Sequence, residues 1–245
     1  MYENLKKKFG QNFLIDKNIL LKIINLIDLN DLNILEIGPG NGSLTDHIIS
    51  KKPRKLVLIE IDKELYENLL IKYSKFDYID VINADILKID LKETYQLVIS
   101  NLPYNISSQI IVKLALLHKS PDKLVLMFQK EFAQRLLNTK INSINSLIRC
   151  FYDVKFCFNV SNNCFRPVPK VDSSVLIFSK KDKKLLSDAE VSDFIVFKRN
   201  LFSHKRKSLK NLLRQYQLDK DFNLNLRVED LELDTLISIF RAVNS

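Results

Sequence analysis

Asn33-Ile34-Leu35-Glu36-Ile37-Gly38-Pro39-Gly40-Asn41-Gly42 is a short apolar run that leads straight into a glycine-rich turn. A run of this length bounded by glycines reads as a buried strand. Glycine permits φ > 0 and lets the backbone approach a ligand closely. The chain holds only four glycines, Gly10, Gly38, Gly40 and Gly42, and three of them fall in this turn. So sparing a use of glycine means that the turn requires it. Ser43 is placed to cap the helix that follows.

The same pattern continues outward. Lys55-Leu56-Val57-Leu58-Ile59-Glu60-Ile61-Asp62 is a second apolar run ending in acids. A carboxylate at such a strand end can accept both hydroxyls of a ribose. Tyr78-Ile79-Asp80-Val81-Ile82-Asn83-Ala84-Asp85 again ends in an acid, suited to an exocyclic amino group. One acid at a strand end is an ordinary solvated turn residue. Three successive strand ends carrying a glycine turn, Glu60 and Asp85 form a ligand site, because ligands of open α/β sheets collect at the carboxyl ends of the strands. Glycine spacing alone also suits a dinucleotide fold. The opening Glu-x-Gly-x-Gly-x-Gly fits an S-adenosylmethionine loop better, since that cofactor has no pyrophosphate to seat on a helix N-terminus.

Leu97-Val98-Ile99-Ser100 is a further apolar run, and it ends at Asn101-Leu102-Pro103-Tyr104. Pro103 has no amide hydrogen for a sheet ladder, so the strand stops there. The Asn101 side-chain oxygen and the Leu102 carbonyl can both accept from one amino group, and Tyr104 offers a face for a flat ring. Adenine has both parts. Its N6 lone pair is delocalised into the ring, and two acceptors holding both N–H bonds draw the nitrogen toward a pyramidal, nucleophilic geometry. An ordinary proline turn has the same outline, so the tetrapeptide alone leaves both readings open.

With these motifs in place, the chain resembles the ribosomal RNA adenine dimethyltransferases, and within them the small-subunit enzymes. The resemblance runs nearly end to end. Lys7-Lys8-Phe9-Gly10-Gln11-Asn12-Phe13-Leu14 is similar to the family's N-terminal signature, Glu36–Gly40 to its cofactor loop and Asn101–Ser107 to its catalytic motif. Gln129-Lys130-Glu131, Phe165-Arg166-Pro167-Val168-Pro169-Lys170-Val171-Asp172-Ser173 and Arg227-Val228-Glu229-Asp230-Leu231 match later stretches in the same order. The resemblance implies that Asn12, Leu14 and Gly38 hold the cofactor, S-adenosylmethionine, with Glu60 on its ribose and Asp85 on its adenine amino group. Asn101 would then lie between the cofactor and the target base, in contact with both, and Leu102 at the target amine, with Tyr104 stacked on the target base and Phe165 over its other face. It also implies N6 dimethylation of two adjacent adenosines in the 3′-terminal hairpin of small-subunit ribosomal RNA, late in ribosome assembly. A sulfonium is already a good leaving group, so direct in-line transfer needs neither a metal nor a covalent intermediate.

Composition agrees. The formal net charge is +9 and the isoelectric point near 9.3, which suits an anionic partner. Lys198, Arg199, Lys205, Arg206, Lys207, Lys210 and Arg214 lie in a stretch without Asp or Glu, interleaved with leucines. Lys205, Arg206 and Lys207, with Lys6–Lys8 near the N-terminus, read as phosphate contacts. A solvated face is the plainer reading of any such run. Cys150, Cys157 and Cys164 do not assemble with His47, His118 and His204 into the roughly four close ligands of a zinc site, so reduced thiols and no metal are expected. No apolar stretch approaches the roughly 20 residues of a membrane span, and Met1–Lys6 lacks a secretory apolar region. A monomeric cytoplasmic protein is expected, with the small ribosomal subunit and its RNA as partner.

These readings combine into an α/β, Rossmann-like methyltransferase sheet over residues 1–180 with a small all-helical domain over 181–245. Strands are expected at 33–38, 55–61, 78–83, 95–100 and 123–129, with two late strands, 154–160 and 171–179, as the antiparallel edge of a mixed sheet. Helices are expected near 16–28, 143–152 and 230–243. Three other assignments compete. A large-subunit enzyme of the macrolide-resistance type shares the core motif, but the Phe165–Ser173 and Arg227–Leu231 stretches favour the small-subunit kind. A DNA adenine methyltransferase leaves the N-terminal signature unexplained. A non-catalytic assembly or transcription factor on the same fold leaves the intact Glu60, Asp85 and Asn101–Tyr104 unexplained.

Overall fold

The computed structural model describes residues 12–204, 206–216 and 222–244. Its central feature is a seven-stranded sheet in the order β4-β3-β2-β5-β6-β9-β7. The strands are β2 (Asn33–Ile37), β3 (Lys55–Glu60), β4 (Ile79–Asn83), β5 (Leu97–Asn101), β6 (Lys123–Gln129), β7 (Tyr152–Val160) and β9 (Ser173–Lys180). The first five are parallel. The near-continuous apolar runs of β2, β3, β5 and β6 fit strands covered on both faces, and Ile34, Leu35, Leu56, Leu58, Leu97, Val98, Leu124 and Leu126 have no exposed surface. β9 runs antiparallel to β6, with Lys123 opposite Ser179 and Gln129 opposite Ser173. β7 forms the edge beyond it, so the expected mixed sheet is present.

Helices α1 (Lys17–Ile24), α2 (Ser43–Ile49), α3 (Lys63–Tyr73) and α4 (Ser107–Ala115) follow successive strands or precede them. Asp16 and Asp62 cap α1 and α3, each accepting from two backbone N–H groups of the first turn. Ser43 does not cap α2. It is already the first helical residue, Gly42 stands at the cap in a left-handed conformation, and the Asn41 side-chain oxygen accepts from the Ser43 amide and hydroxyl.

One element has no counterpart among the expected ones. Phe13–Leu14 (β1) pairs antiparallel with Phe165–Arg166 (β8), Phe13 opposite Arg166 and Leu14 opposite Phe165. This ribbon joins the N-terminal arm to a segment about 150 residues away. Two-residue strands carry no periodicity, which is why the sequence shows no trace of them.

The chain divides into two compact units, one of the described residues up to Ala133 with Asp153–Lys180, the other of Gln134–Tyr152 with the described residues from Lys181 onward. The boundary read from sequence lay at 180/181. The structure adds Gln134–Tyr152 to the helical unit. There Arg149 donates to the Leu136 carbonyl, and the Lys181 and Leu185 amides donate to the Phe151 and Cys150 carbonyls. The helix expected at 143–152 is only Asn145–Ile148 (α6), because β7 already starts at Tyr152. The rest of this unit is α7 (Val191–Ser203), α8 (Leu209–Leu213) and α9 (Leu233–Val243), with α5 (Lys130–Leu137) entering it at its C-terminal half. Phe194 and Phe240 meet edge to face at 5.2 Å in its core. Arg241 and Glu190 close its surface with a 2.6 Å ion pair, and the Arg241 guanidinium holds the Glu190 carboxyl down at about 2.

Candidate functional site

β2 and β5 are parallel neighbours from which the chain proceeds in opposite directions, to β3 and β4 on one side and to β6 on the other. Such a reversal opens a crevice at the carboxyl ends of the two strands. The glycine turn leaves β2 there and Asn101–Tyr104 leaves β5. The Ser100 hydroxyl donates to the Ile37 carbonyl and ties the two strand ends together.

A cavity of about 230 Å³ fills this crevice. Asn12, Leu14, Gly38, Glu60, Asp85 and Asn101 all line it, as do Leu102 and Tyr104. The residues proposed for the cofactor and most of those proposed for the target thus share one cavity. Ile37, Ile59 and Ile86 add apolar surface to its lining. Gly38, Gly40 and Gly42 have φ of 64°, 61° and 80°, so each occupies the left-handed region that only glycine enters freely. At Gly40 space is short as well. A Cβ there would come within 2.7 Å of the Phe13 ring, so the arm packs directly on the turn.

Glu60 is almost fully buried, and both its carboxylate oxygens are engaged. Oε2 accepts from the Gly40 amide at 3.1 Å and Oε1 from the Asp62 amide at 2.9 Å. Burial raises its pKa, which the two amide donors partly counter. Each oxygen keeps a lone pair for a further donor. Behind the turn Glu36 is 2% exposed and accepts from the Thr45 hydroxyl at 2.7 Å; desolvation pushes its carboxyl up to about 8. Sequence reasoning treated Glu36 only as the start of a motif. Asp85 has a divided role. Its Oδ1 accepts from the Leu87 amide at 2.9 Å and so shapes its own turn, while Oδ2 stands 3.9 Å from the Lys88 ammonium.

Asn101 is oriented by the arm. Its Nδ2 donates to the Asn12 carbonyl at 2.9 Å, which settles which end of the amide is which. The Oδ1 atom is buried and has no hydrogen-bond partner among the described residues. A buried acceptor without a donor is uncommon and costly. Here it marks a place that a donor completes. Among the described residues the Leu102 carbonyl accepts no hydrogen bond either. Both acceptors named for an amino group are free for one. The Tyr104 hydroxyl lies 2.6 Å from the Ser173 hydroxyl, and burial raises the phenol's pKa.

Phe165 is placed otherwise. It has no exposed surface, packs in the apolar core beside Leu14 and Val175, and does not line the cavity.

In the helical unit Arg206 and Lys207 are exposed, and Lys205 lies outside the described residues. Arg199, Lys210 and Arg214 are exposed too, and none of these five cations pairs with a carboxylate among the described residues. Lys198 departs from the expected basic face. It is 7% exposed, with its ammonium donating to the Ser143 carbonyl at 2.6 Å, and burial lowers its pKa. Cys150, Cys157 and Cys164 are free thiols, and no group of three metal-binding side chains occurs among the described residues. No helix among them is long and apolar enough to cross a membrane. The Lys6–Lys8 cluster and the N-terminal signature before Asn12 lie outside the described residues.

The comparisons with known proteins agree with this geometry. Residues 2–244 match the family model described as ribosomal RNA adenine dimethylase. The chain is 38% identical over 260 residues to the ribosomal RNA small subunit methyltransferase A of Pelagibacter ubique, covering 98% of this chain and 97% of that one. It is 41% identical over 220 residues to the protein of that name from Malacoplasma penetrans, covering 86% and 78%. Among solved structures, a dimethyladenosine transferase from Plasmodium falciparum superposes with a TM-score of 0.81 at 25% identity, over 93% of this chain and 95% of that one. The 23S rRNA methyltransferase ErmE superposes with a TM-score of 0.74 at 25% identity, over 95% and 100%.

Proposed function

Because the chain belongs to the ribosomal RNA adenine dimethylase family, we propose that the cavity at the β2–β5 switch point is where it transfers methyl groups from S-adenosylmethionine to N6 of ribosomal adenosines. The chain is an rRNA adenine dimethyltransferase by family. What supports this cavity as the place is one observation above the others: the buried Oδ1 of Asn101 and the nearby Leu102 carbonyl, neither of which has a hydrogen-bond partner among the described residues.

The donor set fits the cofactor. Glu60 would take the ribose hydroxyls with the lone pairs its amide donors leave, and Asp85 Oδ2 the adenine amino group. Gly38, Asn12 and Leu14 would border the remainder. When bound, the cofactor supplies a methyl group on a positively charged sulfur, a reactive electrophile with a neutral leaving group. The protein's part is positioning. Asn101 and Leu102 hold the two N–H bonds of the target amine, turn its lone pair toward the methyl and keep it there, and Tyr104 supports the ring. Holding the reacting atoms in line accounts for much of the acceleration. A base within a duplex cannot reach this crevice, so the target is a loop adenosine or one turned out of its stack.

We assign the substrate to the small subunit on the strength of the full-length relatives bearing that name; two adjacent adenosines of its 3′-terminal hairpin, at a late assembly stage, are what the sequence resemblance implies. A monomeric cytoplasmic enzyme belongs to the same reading. The experiment incubates the protein with labelled S-adenosylmethionine and, separately, undermethylated small subunits, large subunits and DNA. Label should enter only the small-subunit RNA. Label in large subunits would transfer the assignment to the ErmE-like kind, and tight binding to small subunits with no label anywhere would replace the enzyme by an assembly factor.

Arg206 and Lys207, with Lys205, are proposed phosphate contacts, supported by their exposure and by the lack of carboxylate partners for the two described. Replacing all three by glutamine should weaken RNA binding and flatten its dependence on log salt by roughly 0.7–0.9 per lost contact. Titrations at several salt concentrations measure this. An unchanged slope would leave the run as a solvated face.

A further inference from the structure

We propose that Ser173 governs the second methyl transfer, by holding the Tyr104 phenol and so fixing the ring on which the target adenine rests. The inference depends on the stacking role proposed for Tyr104 and adds to it a positioning residue and a consequence for the product.

Ser173 is the first residue of β9, has no exposed surface and stands in register opposite Gln129, the last residue of β6. A ladder between two buried strands therefore sets its position. Tyr104, in contrast, sits in the turn after β5. Its carbonyl accepts from the Ser107 hydroxyl at 3.2 Å, and its phenol oxygen lies 2.6 Å from the Ser173 hydroxyl. Among the described residues that second contact is the one polar restraint on the ring. Burial raises the phenol's pKa, and the contact is a hydrogen bond between two hydroxyls. Ser173 does not line the cofactor cavity.

The two transfers place unequal demands on that restraint. In each, the N6 lone pair forms the bond to the methyl carbon, the carbon–sulfur bond breaks with its electron pair kept by sulfur, and one N6 proton leaves to water. Before the first transfer the amine has two N–H bonds, one for Asn101 Oδ1 and one for the Leu102 carbonyl. Before the second it has one. One acceptor has then lost its donor, and the base is held by a single hydrogen bond and by its contact with the Tyr104 ring. Any looseness in that ring slows the second step more than the first.

The test compares Ser173→Ala, Tyr104→Phe and the double variant on undermethylated small subunits at saturating S-adenosylmethionine. RNA digests are resolved into N6-methyl and N6,N6-dimethyl adenosine. The first transfer should slow about twofold and the second about tenfold, the size of one neutral hydrogen bond, so monomethyl product accumulates. The double variant should be no worse than either single one, since both delete the same interaction. Ser173→Thr, which keeps the hydroxyl, should restore the product ratio, and cofactor affinity by calorimetry should not change. An unaltered ratio in either single variant, or additive losses, would overturn the proposal. If Ser173→Ala fails to fold, Tyr104→Phe removes the same hydrogen bond without touching β9. A Tyr104→Ala variant separates the two layers. If it methylates normally, the stacking reading itself fails; if it is slow while Ser173→Ala keeps the normal ratio, only the present inference fails.

Discussion

Replacing Asn101 with alanine should lower turnover by about two to three orders of magnitude at saturating cofactor and RNA, the loss that follows deletion of one preorganised polar partner of a developing charge. The substitution removes Oδ1, the buried acceptor without a partner among the described residues. Its interaction gains strength as the lone pair turns toward the methyl, so the loss falls on kcat and not on KM. RNA affinity should hold, because phosphate contacts carry most of it. Cofactor affinity should fall only slightly: the lost Nδ2 bond to the Asn12 carbonyl loosens an arm that borders the cavity. Single-turnover methylation of small subunits, with calorimetry for the cofactor, separates these effects. A wild-type rate would show that the amine is not activated at Asn101.

The sheet and the cavity were legible because their signals are local. Four runs ended by glycine, proline or an acid, with a fifth apolar run over 123–129, describe parallel strands, and their ends converge wherever a doubly wound sheet brings carboxyl ends together. Asn12, Leu14, Gly38, Glu60, Asp85, Asn101, Leu102 and Tyr104 accordingly line one cavity. What escaped the sequence depends on distant partners. That Asn101 is turned by a carbonyl 89 positions earlier, and Tyr104 held by a hydroxyl 69 positions later, follows from tertiary placement alone. Lys198 looked like part of a basic face, yet its place on α7 points it at the Ser143 carbonyl. Phe165 looked like an aromatic cover beside Arg-Pro, but its pairing with Leu14 turns it into the core. Charge and aromaticity are visible in a sequence, whereas the side of an element on which they fall is settled by what packs there.

Replacing Glu60 with alanine should weaken S-adenosylmethionine binding well beyond tenfold, because the structure gives this carboxylate two duties. The first is the proposed one toward the ribose, worth about 1.5–3 kcal/mol for each hydrogen bond to a charged group. The second is toward the protein: Oε2 and Oε1 accept from the Gly40 and Asp62 amides, so the turn that borders the cofactor and the start of α3 both hang on one side chain. Alanine leaves two amide donors in a nearly dry place, at about 1–3 kcal/mol each, which should also lower the melting temperature of the free protein. Glu60→Gln distinguishes the duties. It keeps one acceptor and the side-chain volume but sets an amide donor against a backbone donor, so it should recover part of the stability and little of the affinity. Calorimetry and thermal melting on both variants measure the two quantities independently. If alanine lowers the melting temperature while affinity stays at the wild-type value, Glu60 braces the turn and the ribose is held elsewhere.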